Sequence, residues 1–261
     1  MDVYGLVGKP ISHSFSSKIY NFLFDEFNID AVYRNFECEE RDILPLINSG
    51  VKGLNFTAPY KNLIYDLMKI NLFSKEFINT VVAHTHVVNI LKIINNELYL
   101  NNSDIYAIIE CIDKITEKID LKTILILGNG DTCKSIYFAL FYYFNCTIYN
   151  SNRSNKAFEK CVMIDWNDRE DCAKKVDLII NATSVKDELI INPFGAAVFD
   201  INYNPETTLI KLARENGNII SRGEDMLINQ AISNFNIWCN ISLSDNDVMA
   251  LYDLLSLEKN P

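Results

Sequence analysis

The sequence predicts an α/β fold in two domains with mostly parallel sheets. Three observations carry this. Short β-branched runs alternate with longer helical patterns along most of the chain, as they do when helices cover a parallel sheet. Residues 123–127, Thr-Ile-Leu-Ile-Leu, form an uninterrupted apolar run ending in a glycine, the pattern of a strand buried on both faces. The alternation also starts twice, once at residue 1 and again after a long amphipathic stretch at 103–119.

In order along the chain, residues 1–7 read as a strand. Residues 16–27 read as a helix with Ile19, Phe22, Leu23 and Phe27 on one side. A strand at 31–36, a short helix at 41–48, a strand at 53–57 and a helix at 61–70 follow. Two β-rich runs over 87–100 flank Asn95-Asn96, a hairpin signal because asparagine tolerates the left-handed region. Beyond 123–127, strands are expected at 147–149, 178–182, 198–200 and 218–221. Helices are expected at 131–144, 206–215, 224–238 and 246–255. A boundary near Asn102 divides the two sets.

The chain has 261 residues, 49% hydrophobic and 22% charged, which excludes disorder and low-complexity polymers. Its formal net charge of −10 would repel a phosphate backbone, so no nucleic-acid partner is expected. No apolar run reaches the ~18–20 residues of a membrane helix, so no membrane partner is expected either. The first eight residues lack the features of an export signal, and the seven cysteines form no C-x-x-C pair. We therefore expect free thiols and a cytoplasmic protein. With only three histidines, no metal site is expected.

Gly128-Asn129-Gly130-Asp131-Thr132-Cys133 follows the buried strand and opens a helix. Glycines allow a tight turn and close approach of a pyrophosphate, which the N–H groups and dipole of the helix then favour. The second domain thus reads as a Rossmann-like dinucleotide-binding domain. The next strand ends in Asn152-Arg153-Ser154-Asn155-Lys156. An acid here would take a ribose 2′-hydroxyl; cations instead suit a 2′-phosphate, so NADP is expected rather than NAD.

In the first domain, Ser14 and Ser16 precede a helix, where they either cap it or hold a carboxylate. Asn55 and Thr57 share one side of an extended segment. Lys61 opens a helix, where a cation opposes the dipole, so its presence there points to function.

Several motifs together resemble the shikimate dehydrogenase family, in family order over nearly the whole chain. Residues 8–16, Gly-Lys-Pro-Ile-Ser-His-Ser-Phe-Ser, are similar to its G-x-P-I-x-H-S-x-S start. Residues 55–61 are similar to its N-x-T-x-P-x-K, and Asn102-Ser103-Asp104 to its N-T-D. Residues 128–135 resemble its glycine turn, and 152–154 its N-R-T. Asn181-Ala182-Thr183-Ser184, the D-x-x-Y-x-P at 200–205 and the G-x-x-M-L-x-x-Q-A at 223–231 complete the series.

The resemblance implies reversible, NADPH-dependent reduction of 3-dehydroshikimate to shikimate in aromatic amino-acid biosynthesis. A quinate/shikimate dehydrogenase with broader substrate or NAD use is the alternative. It implies Lys61 and Asp104 as the catalytic pair. Ser14, Ser16, Asn55, Thr57, Asn89, Tyr203 and Gln230 would bind substrate. Asn89 is preferred to Asn79 because it starts the hairpin leading to Asp104. Gly128, Asn129, Gly130, Asp131, Thr132, Asn152, Arg153, Ser154, Thr183, Ile201, Gly223 and Met226 would bind the cofactor. The substrate domain would span residues 1–102 with 239–261, and the NADP domain 103–238, in a monomer or homodimer.

The chain departs from the family pattern in several places. Asp131 stands where the family has a second consecutive glycine. Ser17 replaces a proline, and the loop at 153–156 is one residue short. Lys186-Asp187 replaces Gly-Met, making Lys186 a candidate compensating cation.

Overall fold

The structure, a computed structural model, describes residues 1–12, 14–70, 80–95, 97–156, 158–188 and 190–256. His13 of the opening motif, Asn79 and Asn96 lie outside the described residues. The chain divides into two units, Met1–Ser103 with the segment from Gln230 onward, and Asp104–Asn229.

In the first unit, β1 (Asp2–Val7), α1 (Ser16–Glu26), β2 (Ala31–Phe36), α2 (Glu40–Ile47), β3 (Gly53–Phe56) and α3 (Lys61–Ile70) alternate as expected. A short α4 (Thr80–Thr85) follows, then β4 (Ile90–Ile94) and β5 (Glu97–Asn101). The sheet order is β2-β1-β3-β4-β5. β1 pairs in parallel with β2 and β3, while β4 is antiparallel to both β3 and β5. Asn95 has φ 52°, the left-handed conformation expected of the hairpin. The entry to α2 is fixed by a capping box between Glu39 and Asp42. One core gathers Val7, Leu54, Phe56, Ile64 and Val88. Another gathers rings: Trp238 lies 5.1 Å from Tyr4 and 5.2 Å from Tyr20, and its indole N–H donates to the Leu91 carbonyl at 3.1 Å.

The second unit holds α5 (Asp104–Thr116), β6 (Thr123–Leu127), α6 (Asp131–Tyr143), β7 (Thr147–Ser151), β8 (Val162–Ile164), α7 (Arg169–Ala173), β9 (Leu178–Asn181), β10 (Ala197–Asp200), α8 (Thr208–Glu215) and β11 (Ile220–Ser221). All strands are parallel, in the order β11-β10-β9-β6-β7-β8. Central β6 is buried from Ile124 to Leu127, as its apolar run requires. α9 (Gly223–Cys239) begins here and crosses into the first unit after Asn229; α10 (Asp245–Ser256) belongs to the first unit. No helix among the described residues is long and apolar enough to cross a membrane.

Sequence periodicity did not reveal α4, β8 or α7. They have six, three and five residues, too few for a period to register.

Asp177 ties the start of β6 to the start of β9. Its carboxylate accepts from Lys122 N (3.0 Å), Thr123 N (2.8 Å) and Thr123 Oγ1 (2.8 Å). Burial pushes its pKa up, but these hydrogen bonds outweigh burial and hold it below the usual value. The stabilisation is thus present above the unfolded-state pKa and is lost as pH falls through the depressed folded value. Asp177→Ala is expected to cost about 1–2 kcal/mol at neutral pH. The deficit should shrink in acid, as read from urea unfolding curves across pH.

Candidate active site

The order β2-β1-β3 places the crossovers from β1 to β2 and from β2 to β3 on opposite sides of β1. The carboxyl ends of β1 and β3 therefore form a switch point, where open α/β sheets take ligands. The loops leaving these ends are joined. Thr57 N donates to Val7 O at 2.9 Å, and Lys9 N donates to Ala58 O at 3.1 Å. After β1 come Ser14 and Ser16, with Ser14 Oγ donating to Ser16 Oγ at 3.1 Å and accepting from Ser16 N at 3.2 Å. Ser16 is the first residue of α1 and the cap position is Phe15, so Ser16 does not serve as the N-cap. After β3 come half-buried Thr57 and then Lys61, 8% exposed at the start of α3.

Asn55 and Asn89 fasten this corner. The Tyr33 hydroxyl donates to Asn55 Oδ1 at 2.8 Å, and Asn55 Nδ2 donates to Asn89 O at 3.1 Å. Asn89, fully buried, donates through Nδ2 to Ser103 Oγ at 3.0 Å and accepts from Ser103 N at 2.7 Å. Ser103 precedes Asp104, which is 1% exposed and opens α5. Asn55 thus spends its carbonyl and one amide hydrogen within the protein. The first unit contains Ser14, Ser16, Asn55, Thr57, Lys61, Asn89 and half-buried Gln230. Asp104 and Tyr203 belong to the second.

The second sheet reverses its winding between β6 and β9. The glycine turn leaves β6 here. Gly128 has φ 112°, and a Cβ there would lie 2.9 Å from the Ala182 carbonyl oxygen, so only glycine fits. At Gly130, the cap of α6, an added Cβ would meet nothing within 4 Å. The turn is held from β7 by Asn150, whose Nδ2 donates to Ile126 O at 3.1 Å and Gly128 O at 2.9 Å. Asn152 Oδ1 accepts from Ser154 Oγ at 2.7 Å and from Ser154 N at 3.2 Å. Asn129 Nδ2 donates to Ser154 Oγ at 2.7 Å, binding the two loops together. Arg153 and Lys156 are exposed beside them.

Asp131 opens α6, followed by half-buried Thr132, and the Lys134 ammonium lies 3.1 Å from the Asp131 carboxylate. Cys133 is buried and donates to Gly128 O at 3.0 Å, and burial pushes its thiol pKa far up. It is an inert packing residue of the turn. Lys186 is not a spare cation. Its ammonium donates to Tyr203 O at 2.8 Å and to Asn204 O at 3.1 Å, so it is committed to holding the loop after β10.

At the carboxyl ends of β9 and β10, Thr183 N and Oγ1 donate to Asn181 Oδ1 at 3.1 and 2.8 Å. Asn202 Nδ2 donates to Thr183 O at 2.9 Å. A Cβ on Gly223 would lie 2.5 Å from Asn202 O and 2.6 Å from Ile201 O, so the start of α9 rests on this loop. Met226, buried, lies one turn further along.

The sequence reading assigned no role to Tyr33, Asn150, Asn181, Asp200 or Asn202. The available signal was a polar residue inside or at the end of a buried strand, as with Asn150 in β7 and Asn181 in β9.

The fold and these two switch points define a two-unit α/β protein with a dinucleotide-type turn. Residues 6–76 match the family model described as the shikimate dehydrogenase substrate binding domain. Shikimate dehydrogenase (NADP(+)) of Clostridium beijerinckii is 30% identical over 276 residues, covering 99% of each chain. A crystal structure of shikimate dehydrogenase 1 from Peptoclostridium difficile superposes with TM-score 0.82 over 100% of both chains, at 27% identity. A shikimate dehydrogenase in complex with NADP+ gives TM-score 0.82 at 26% identity, over 97% of this chain and 95% of that one. The chain belongs to the shikimate dehydrogenase family.

The Tyr33–Asn55 bond gives a direct expectation. Tyr33→Phe leaves a buried carbonyl oxygen without its donor and should destabilise the protein by about 1–2 kcal/mol in urea unfolding. An unchanged midpoint would show that the bond holds nothing.

Proposed function

We propose that this chain is an NADP-dependent shikimate dehydrogenase, reversibly reducing 3-dehydroshikimate to shikimate in aromatic amino-acid biosynthesis. One observation carries the reading. The serine pair, Thr57 and buried Lys61 all follow the adjacent carboxyl ends of β1 and β3, in a chain related along its full length to enzymes of that name.

The residues of the second unit fit the dinucleotide. The Gly128 turn has no room for a side chain on the Ala182 side, while Gly130 opens onto free space. Arg153 and Lys156 supply cations suited to a 2′-phosphate, and Ser154, which donates to Asn152 and accepts from Asn129, would sit beside it and set the loop. Gly128, Asn129, Gly130 and Thr132 would line the pyrophosphate. Thr183, Ile201, Gly223 and Met226 would take the nicotinamide side. Asp131 sets a negative charge near the pyrophosphate position, with Lys134 offsetting it.

NADPH, when bound, supplies the hydride for the C3 carbonyl carbon of the substrate. Lys61 stabilises the charge growing on the carbonyl oxygen and donates its proton there; in the reverse direction it accepts that proton. Asp104 orients the Lys61 ammonium and accepts from the neighbouring substrate hydroxyl. Ser14 and Ser16 hold the ring carboxylate. Asn55, Thr57, Asn89 and Gln230 read the hydroxyls, with Tyr203 beside them, and the internal bonds of Asn55 and Asn89 also set the ends of β3 and β4. The domains are proposed as a substrate domain of residues 1–102 with 239–261 and an NADP domain of 103–238. Localisation is proposed as cytoplasmic, and the assembly as a monomer or homodimer.

The test is shikimate oxidation followed by dinucleotide absorbance, with NADP or NAD and with shikimate or quinate. Turnover is expected with shikimate and NADP. Lys61→Ala is expected to lower kcat by about 100-fold or more while the protein still binds shikimate. Turnover with quinate and NAD in preference would replace this reading with the quinate/shikimate one. Binding of shikimate without any turnover would make the chain a binding protein.

Arg153→Ala is expected to weaken NADPH binding about tenfold in a fluorescence titration and leave NADH binding unchanged. Equal losses for both dinucleotides would remove Arg153 from the 2′-phosphate site.

A further inference from the structure

Asp200 is a fully buried carboxylate at the end of β10 that the proposed chemistry does not use. Its surroundings consist of donors. Asn181 Nδ2 at 3.0 Å and Thr207 Oγ1 at 2.8 Å donate to Oδ2. Asn202 N at 3.0 Å and Asn202 Nδ2 at 2.8 Å donate to Oδ1. Burial raises the Asp200 pKa overall, and these bonds hold the rise back. Three of the four partners are N–H groups, which can only donate, so the cluster suits an acceptor at position 200.

The donors come from the end of β9 and from the segment between β10 and α8. Asn181 passes the contact to Thr183 N and Oγ1. Asn202 passes it to Thr183 O, and Gly223 rests on the backbone at Ile201 and Asn202. Thr207 caps α8 by accepting from Ile210 N at 3.3 Å. Thr183, Ile201 and Gly223 therefore share one anchor, and all are candidates for the nicotinamide side.

We infer that Asp200 is a positioning residue for the nicotinamide half of the cofactor site, setting Thr183, Ile201 and Gly223 through its four hydrogen bonds without touching the cofactor. The inference rests on the dehydrogenase reading above. The loop after β7, with Arg153 and Lys156, is held by a different residue, Asn152, whereas the Gly128 turn lies against Ala182 and borders both halves. The loop after β7 should thus respond separately to substitution.

The experiment compares wild type, Asp200→Asn and the exchange variant Asn181→Asp/Asp200→Asn. Asp200→Asn keeps the shape but turns one acceptor into a donor facing donors. Its kcat is expected to fall about 10- to 100-fold, because small misplacements of reacting groups cost that much. Its affinities for shikimate and for adenosine 2′,5′-bisphosphate, a probe of the loop after β7, are expected to stay within about twofold, since that loop is held by Asn152 and shares none of the hydrogen-bond partners of Asp200. The exchange variant restores a donor–acceptor pair between positions 181 and 200 and should recover most of the lost kcat. It also carries the test if Asp200→Asn does not fold.

Unchanged kcat in Asp200→Asn would overturn the inference. So would loss of adenosine 2′,5′-bisphosphate binding together with kcat in the folded variant, which would mark Asp200 as a general structural residue. An exchange variant as impaired as Asp200→Asn would overturn the hydrogen-bond account. Failure of the dehydrogenase reading looks different: the wild type itself would show no turnover and would not bind the bisphosphate, and the inference would fall with it.

Discussion

Both sheets reverse their winding beside their first strand, and the candidate site depends on that reversal. A parallel strand needs a crossover, and crossovers are right-handed, so the β1-to-β2 and β2-to-β3 crossovers, which run in opposite directions, put α1 and α2 on opposite faces. The chain leaving β1 and the chain leaving β3 then depart toward different helices, with their first residues still hydrogen-bonded to each other, which is where open α/β sheets take ligands. The same holds at β6 and β9 in the second unit. The serine pair and Lys61 stand at one reversal, the glycine turn and Thr183 at the other.

Loops at such a point have strand-end backbone groups that need partners away from water. This chain meets that need with buried asparagines. An amide offers donors and an acceptor and carries no charge, so it is less costly to bury than an ion. Asn55 joins β2 to β4, Asn89 joins β4 to the chain entering α5, and Asn150 joins β7 to the glycine turn. Asp200 is the charged member of the set, and it has the most donors, as a buried carboxylate requires.

This division explains what could be read from the sequence. The strands of the second sheet announced themselves because burial on both faces demands continuous apolar runs, as in β6. The glycine turn was legible because a left-handed φ and a close approach to Ala182 demand glycine at position 128. Tyr33 was not legible as a partner of Asn55, since nothing in a sequence shows which strand neighbours which. Lys186 misled for the same reason. Spacing alone offers a lysine as a candidate phosphate ligand and does not show that the fold brings the Tyr203 and Asn204 carbonyls to it. Edge strand β8, with three residues, had no period to read.

Lys61 and Asp131 sit at helix starts with opposite charges, and the contrast separates function from stability. An acid at the first position of α6 favours the helix dipole, and Lys134 shares its charge, so Asp131 is locally consistent with its fold. It works instead against an anion at the same place. Lys61 does the reverse. A nearly buried cation at the first position of α3 opposes the dipole and loses hydration. Local rules are broken where function demands it, and by that criterion Lys61 stands out from the residues that surround it. In the proposed reading, cations for the dinucleotide come from the loop after β7 while Asp131 serves its helix, whereas the ammonium at the end of β3 comes from a position that opposes its helix dipole.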